Sequence, residues 1–334
     1  MKSPSDCPDC GPAPLDRRGF LKTAAWVTAA AAAGRVPLLG AAARPVSETL
    51  VTTFYRSLSE EQRTLFCLPF DHPRRLQVDN AWFITKARLG KDLSPDQQQK
   101  VREIFLGLHS PEYAERVLKA TEHDAGESGL GECSVAVFGE PGTGQFEFVL
   151  TGRHVTRRCD GDSVAGTAFG GPIFYGHQAG PDDEEKRDHP DNVYWYQARR
   201  ANEVYQMLDG KQRSLALVDR LRREQASETV KLSGRKSGLA GIPISALSRD
   251  QRDHVRKVMA DLLAPFRQAD ADEAMKLVEA NGFDHLHLAF SKSGDLGDDG
   301  VWDVWQIEGP AMLWYFRGSP HVHSWVNIRR DANA

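Results

Sequence analysis

Phe283-Asp284-His285-Leu286-His287-Leu288-Ala289-Phe290 reads as a β-strand, and so do Val301 to Ile307, Ala311 to Phe316 and His321-Val322-His323-Ser324-Trp325-Val326-Asn327-Ile328. Each run is short, rich in β-branched or aromatic residues, and bounded by turn residues: Ser293-Gly294-Asp295, Gly309-Pro310 and Gly318-Ser319-Pro320. Four such runs in succession predict an antiparallel meander. A second strand cluster lies upstream. Glu132 to Phe138 and Gln145 to Leu150 alternate with period two around Pro141-Gly142-Thr143-Gly144, a hairpin signature, and a further strand is expected within Val164 to Tyr175.

Helices precede and separate these clusters. Leu58-Ser59-Glu60-Glu61-Gln62-Arg63, Leu93-Ser94-Pro95-Asp96-Gln97-Gln98, Leu208-Asp209-Gly210-Lys211-Gln212-Arg213 and Leu247-Ser248-Arg249-Asp250-Gln251-Arg252 each place Ser or Asp three residues before Gln. That is the capping-box pattern, in which the two side chains satisfy each other's orphan amides. Helices are expected at 46–58, 60–68, 95–108, 111–124, 193–208, 211–226, 249–263 and 270–281, the last closed by Asn281-Gly282. Strand clusters with helices before and between them predict an α+β fold on antiparallel sheet, and the irregular spacing of the starts argues against a solenoid. Pro181 to Asp191 and Ser233 to Gly241 read as exposed loops.

The first four dozen residues are of another kind. Arg17-Arg18-Gly19-Phe20-Leu21-Lys22 precedes a mildly apolar, alanine-rich segment and small residues at Ala41 and Ala43. This resembles a twin-arginine export signal, with Arg17, Arg18, Phe20 and Leu21 as its recognition residues. Thr23 to Gly34 falls short of the ~20 apolar residues a membrane span needs, so no stable anchor is expected. The resemblance implies a signal peptide over 1–43, the twin-arginine translocase as partner, a periplasmic or extracellular destination, and folding before export, often around a cofactor. One large domain over 44–334 remains. Cys7 and Cys10 leave with the leader; Cys67, Cys133 and Cys159 can form at most one disulfide.

Composition narrows the partners. Of 334 residues 42 are Lys or Arg and 46 Asp or Glu, a formal charge of −4, so no basic field exists for nucleic acid. No Walker loop, dinucleotide fingerprint or nucleophile elbow occurs. Arg157-Arg158 before Cys159 would favour a thiolate, but no further motif supports a thiol nucleophile.

All 11 histidines fall after the leader, and two pairs are spaced His-x-His: His285 with His287, and His321 with His323. On a strand, residues two apart share a face, so each pair offers two imidazoles to one ion of the zinc, copper or iron kind. His154, at the end of the hairpin's second strand, is a third candidate.

Gly139-Glu140-Pro141, Phe146-Glu147-Phe148, Thr151-Gly152-Arg153-His154-Val155, Gly171-Pro172-Ile173-Phe174-Tyr175-Gly176, Gly309-Pro310 and His321-Val322-His323-Ser324 together resemble the bacterial domain-of-unknown-function family 3500, over most of residues 48 to 330. The resemblance carries His154 onto the second His of the family's Gly-His-His step, and His321 and His323 onto its closing His-x-His. Arg153 replaces the first His of that step, Glu308 stands where the family has His before Gly-Pro, and Trp314-Tyr315-Phe316 replaces an acidic segment.

Two functional readings follow. In the first, His154, His321 and His323 bind a transition metal, with His285, His287 or Glu308 as further ligands; metal-dependent hydrolysis or redox chemistry is then open to the site, with Arg153 steadying developing negative charge. In the second, Trp302, Trp305, Trp314 and Trp325 line a groove for a glycan or small ligand in a non-catalytic envelope module. The second expects His154 more than ~10 Å from the His321/His323 pair, too far for ligands that sit about 2.0–2.1 Å from one ion.

Overall fold

Chain order in the computed structural model falls into two similar halves. In the first, α1 (Ser47–Ser57) and α2 (Glu60–Phe66) lead into the two-residue strand β1 (Cys67–Leu68). Then come α3 (Leu89–Asp92), α4 (Pro95–Gly107), α5 (Ala114–Ala125) and the strands β2 (Ser134–Gly139), β3 (Phe146–Gly152), β4 (Val155–Cys159) and β5 (Ile173–His177). In the second, α6 (Tyr196–Met207) and α7 (Gly210–Ala216) lead into β6 (Leu217–Val218) and β7 (Ile242–Pro243). These are followed by α8 (Arg249–Leu263), α9 (Gln268–Ala280), β8 (His287–Ser291), β9 (Val304–Gly309), β10 (Met312–Arg317) and β11 (Val322–Ile328). The structure describes residues 46–178, 192–294 and 300–333; the segment read as an export signal and the whole Pro181 to Asp191 run lie outside the described residues.

Among the described residues eleven strands form one sheet of order β1-β2-β3-β4-β5-β11-β10-β9-β8-β6, with β7 added beside β8. Only β1 with β2 and β6 with β8 pair in parallel, so the α+β class on antiparallel sheet is what the chain adopts. The order is a palindrome, and the registers agree residue by residue. Cys67 faces Val137 as Leu217 faces Phe290; Ser134 faces Thr151 as His287 faces Glu308. Thr151 faces Thr156 as Glu308 faces Leu313, and Thr156 faces Phe174 as Leu313 faces Asn327. Counting back one residue makes Ile173 the counterpart of Val326, and these two pair with each other. A pseudo-two-fold axis therefore passes through the β5–β11 seam.

The capping boxes belong to this duplication. Ser59 with Gln62, Ser94 with Gln97, Asp209 with Gln212 and Ser248 with Gln251 all form both hydrogen bonds. Within each half the two glutamines also exchange amide bonds, Gln62 with Gln97 at 2.9 and 2.8 Å and Gln212 with Gln251 at 3.0 and 2.8 Å. The helices expected over 60–68 and 211–226 end early, at Phe66 and Ala216, because the next two residues join the sheet. Short β1, β6 and β7 have no sequence period of their own; tertiary pairing creates them.

Helices cover one face of the sheet. There Val135, Val137, Phe148, Leu150, Tyr175, Trp314, Val322 and Val326 pack with Phe54, Phe105, Val117, Ala201, Val258 and Leu262. The segments after β1 and after β6 cover the other, bringing Val78, Ile84 and Val230 onto Phe138, Phe174, Leu313, Tyr315 and Trp325. Strand alternation then sorts the seam: Tyr175 and His177 point to the helices, while Phe174, His323 and Trp325 point to the covering segments. No helix among the described residues is long and apolar enough to cross a membrane.

Candidate metal centre

The centre forms where the β3–β4 turn meets the end of β5 and the start of β11. Gly152 and Val155 pair across the turn, leaving Arg153 and His154 at its tip. His154 has φ 58°, in the left-handed region that His tolerates better than most side chains. Its amide donates to Asn80 O at 2.7 Å and its carbonyl accepts from Gly176 N at 3.0 Å, so both backbone groups fix the turn over the seam. A buried non-glycine residue held in this conformation is strained, and such strain gathers at working sites.

His321 and His323 come from β11 and its approach. Their ring centroids are 4.8 Å apart, with His154 at 4.8 Å from the first and 5.0 Å from the second, and all three residues are buried. His321 Nε2 and His323 Nε2 are 3.0 Å apart. Two imidazole nitrogens that close share either a proton or a cation. His323 Nδ1–H donates to Glu224 Oε2 at 2.6 Å, which fixes the tautomer and leaves the Nε2 lone pair directed at His321. His154 Nδ1 lies 3.2 Å from Asp124 Oδ2, a second carboxylate–imidazole contact. Carboxylates behind ligating histidines orient the ring and raise its basicity. His321 Nδ1 is buried without a hydrogen-bond partner among the described residues.

Electrostatics favour the ligating form. Desolvation, then the neighbouring His323 and His154, push His321 down to about 3. Desolvation also brings His323 down to about 4 despite the Glu224 carboxylate. Both are therefore neutral at neutral pH, as metal ligation requires. Burial would raise the Asp124 carboxyl, but the adjoining His154 and His177 imidazoles hold it far below the usual carboxylate range. Glu224 is likewise lowered by His323 against its own desolvation.

The other candidate ligands lie elsewhere. His285 is exposed on a 3₁₀ turn before β8, not on a strand. His287 is on β8, three strands from β11 and thus roughly 14 Å away in the sheet. Glu308, on β9, is buried against Arg222 Nη2 at 2.9 Å and Gln306 Nε2 at 2.9 Å, so it is already spent as an ion pair. Arg153 is exposed at the turn tip and donates to Gln178 Oε1, whose own backbone N–H bonds Asp124 Oδ1 at 3.2 Å. Trp305, Trp314 and Trp325 are fully buried, and Trp302 packs edge-on to Tyr205, so these rings build core, not an open groove. Cys159 follows two arginines yet burial raises its thiol well above the ordinary value, and Cys67, Cys133 and Cys159 are all free.

Asp124, Glu224, His123 and His177 escaped sequence reasoning. No spacing links a carboxylate at a helix end, or one in the segment after β6, to histidines dozens of residues away.

Residues 42–332 match the family described as Protein of unknown function (DUF3500). The chain belongs to that family. No curated protein and no solved structure matches it. The family match takes in the whole two-fold sheet and every side chain of the histidine cluster, and leaves the arginine pair outside. The pseudo-axis adds a test of what the fold itself demands. His154 has Ala311 as its counterpart on the β9–β10 turn, where Ala311 O accepts from Arg329 N at 2.9 Å as His154 O accepts from Gly176 N. His177 has Arg330 as its counterpart, and Thr167 faces Arg329 as His323 faces Gly176. Equivalent backbone is thus built with no imidazole at all.

Proposed function

We propose that this member of the DUF3500 family is an exported metalloprotein in which His154, His321 and His323 hold one transition-metal ion. The observation that carries this reading is the convergence of three buried imidazoles from the two halves, with His321 and His323 Nε2 3.0 Å apart. Two of the three are backed by carboxylates, and the pseudo-equivalent corner of the same fold does without them. Three imidazoles suit zinc, copper or iron, and as a set they leave a coordination position for substrate.

Such an ion supplies a Lewis acid, or a redox centre if it is copper or iron. Around it, the covering segments exclude water from the rings, Glu224 holds the His323 proton on Nδ1, Asp124 sets its carboxylate against the His154 ring, and Arg153 places a guanidinium at the rim for an anionic group. Zinc would point to hydrolysis; copper or iron would admit oxidoreduction. Elemental analysis of protein recovered after export tests the centre: near one equivalent is expected, and below about a tenth of an equivalent of every transition metal overturns it.

Export by the twin-arginine route is the second half of the proposal. It is supported by the Arg17-Arg18-Gly19-Phe20-Leu21-Lys22 pattern and by a family match that begins at residue 42, after that segment. Cell fractionation of an R17K/R18K double variant should find the protein retained in the cytoplasm; unchanged export refutes this route.

A further inference from the structure

A second ligand set adjoins the first and uses none of its three imidazoles. His123 and Asp124 close α5, and His177 closes β5 on the helix-facing side. Asp124 Oδ2 lies 3.1 Å from His177 Nδ1, and Asp124 Oδ1 lies 3.6 Å from His123 Nδ1. The rings of His123 and His177 have centroids 5.7 Å apart and stand at 74° to each other. One ligand atom from each of the three residues falls within 4.8 Å of the others.

The set is half-open. The side chains of Asp124 and His177 are each 2% exposed, whereas that of His123 is 58% exposed. A surface ion pair at a helix end would involve His123 and Asp124 alone. It would not place a buried histidine behind them, with its Nε2 lacking a hydrogen-bond partner among the described residues. Nor does the fold require His177, since its pseudo-equivalent is Arg330.

We propose that His123, Asp124 and His177 form a second, solvent-facing site for a divalent transition ion, joined to the buried centre through Asp124. Two imidazoles and one carboxylate with open positions suit zinc or ferrous iron. The junction is one oxygen: Asp124 Oδ2 contacts His177 Nδ1 at 3.1 Å and His154 Nδ1 at 3.2 Å. An ion that draws on this carboxylate loosens its hold on His154, so occupancy at either site alters affinity at the other, and reciprocally. The second site stands on its own residues; only this coupling rests on the reading of the first.

The test is zinc titration of the chelator-stripped mature chain, followed by competition with a chromogenic chelator. The wild type should take two equivalents of unequal affinity. In H123A the weaker equivalent should fall at least about tenfold in affinity while the tighter one is retained. H177N should do the same, and H123A guards against a folding artefact in it, because His123 is exposed and its loss leaves packing intact. H323A should lose the tighter equivalent instead. A single equivalent that H123A and H177N leave unchanged and H323A abolishes overturns the second site and keeps the first. Two equivalents indifferent to both H123A and H177N also overturn it. No binding in the wild type overturns both proposals.

Discussion

A histidine at φ 58° does two jobs at position 154, and substitution separates them. Alanine removes the imidazole and keeps an unfavourable left-handed backbone, costing roughly 1–2 kcal/mol; glycine removes the imidazole and relieves the backbone. H154G should therefore melt above H154A while both bind the buried ion poorly, and equal melting would show that the turn is unstrained. Glu224 acts one bond further out. E224Q keeps the volume but no longer demands a proton on His323 Nδ1, so zinc affinity should drop about 10–100-fold with the fold retained. His109 carries a pH signature unconnected with the metal. Its Nδ1–H donates to Phe105 O at 2.8 Å and its Nε2 accepts from Arg157 Nε at 3.1 Å, while desolvation and the Arg157 charge push it down to about 3. Below about pH 6.5 the unfolded chain takes up a proton that the native ring refuses, so stability falls with pH down to about 3, by up to about 1.4 kcal/mol per unit from this group. Urea midpoints of the metal-free protein at pH 7 and 5 should show the loss, and H109Q should reduce it by this group's share, leaving the part due to His321 and His323. At this scale sequence could name imidazoles by their spacing, as at His321 and His323. It could not name Asp124 or Glu224, because nothing local marks a carboxylate as the partner of a distant ring.

Among elements, the paired capping boxes link helices as well as start them. Gln97 caps its own helix, exchanges amides with Gln62 and donates to Ser57 O at 2.8 Å; Gln251 repeats this with Gln212 and with Met207 O at 2.7 Å. Each thus ties the end of α1 or α6 to the start of α4 or α8. Q97A or Q251A should cost about 2–3 kcal/mol, since several polar groups lose partners at once, whereas Q99A, whose amide meets only exposed Glu103, should stay within about 0.5 kcal/mol. Chemical denaturation distinguishes these outcomes. Four helix starts were legible because each is written in six adjacent residues. That they are two copies of one pair was not, since loops of unequal length hide the repeat. The strands of the meander were legible from alternation, while β1 and β6 follow from neighbours the sequence does not name.

For the whole molecule, the seam between β5 and β11 is the joint between duplicated halves, and the buried centre lies across it. His154 belongs to one half and His321 with His323 to the other, so a bound ion acts as a clamp between them. Saturation at about 100 times Kd should add about 2.7 kcal/mol, seen as a raised unfolding midpoint that a chelator reverses. A midpoint indifferent to zinc and chelator would mean that the ion does not bridge the halves.

A palindromic strand order also fixes what the sheet shows at its two ends. Both terminal strands, β1 and β6, are two residues long, and each continues directly from a capped helix. A broad open sheet would ordinarily offer long rows of unpaired amides to a second chain; here the rows stop almost as they begin. Leu65 and Leu215, which take matching places on those helices, are 47% and 54% exposed. Self-association by strand addition is therefore discouraged at both margins by the same stroke of duplication, and concentrated solutions should resist fibrillation even when the histidine centre is stripped.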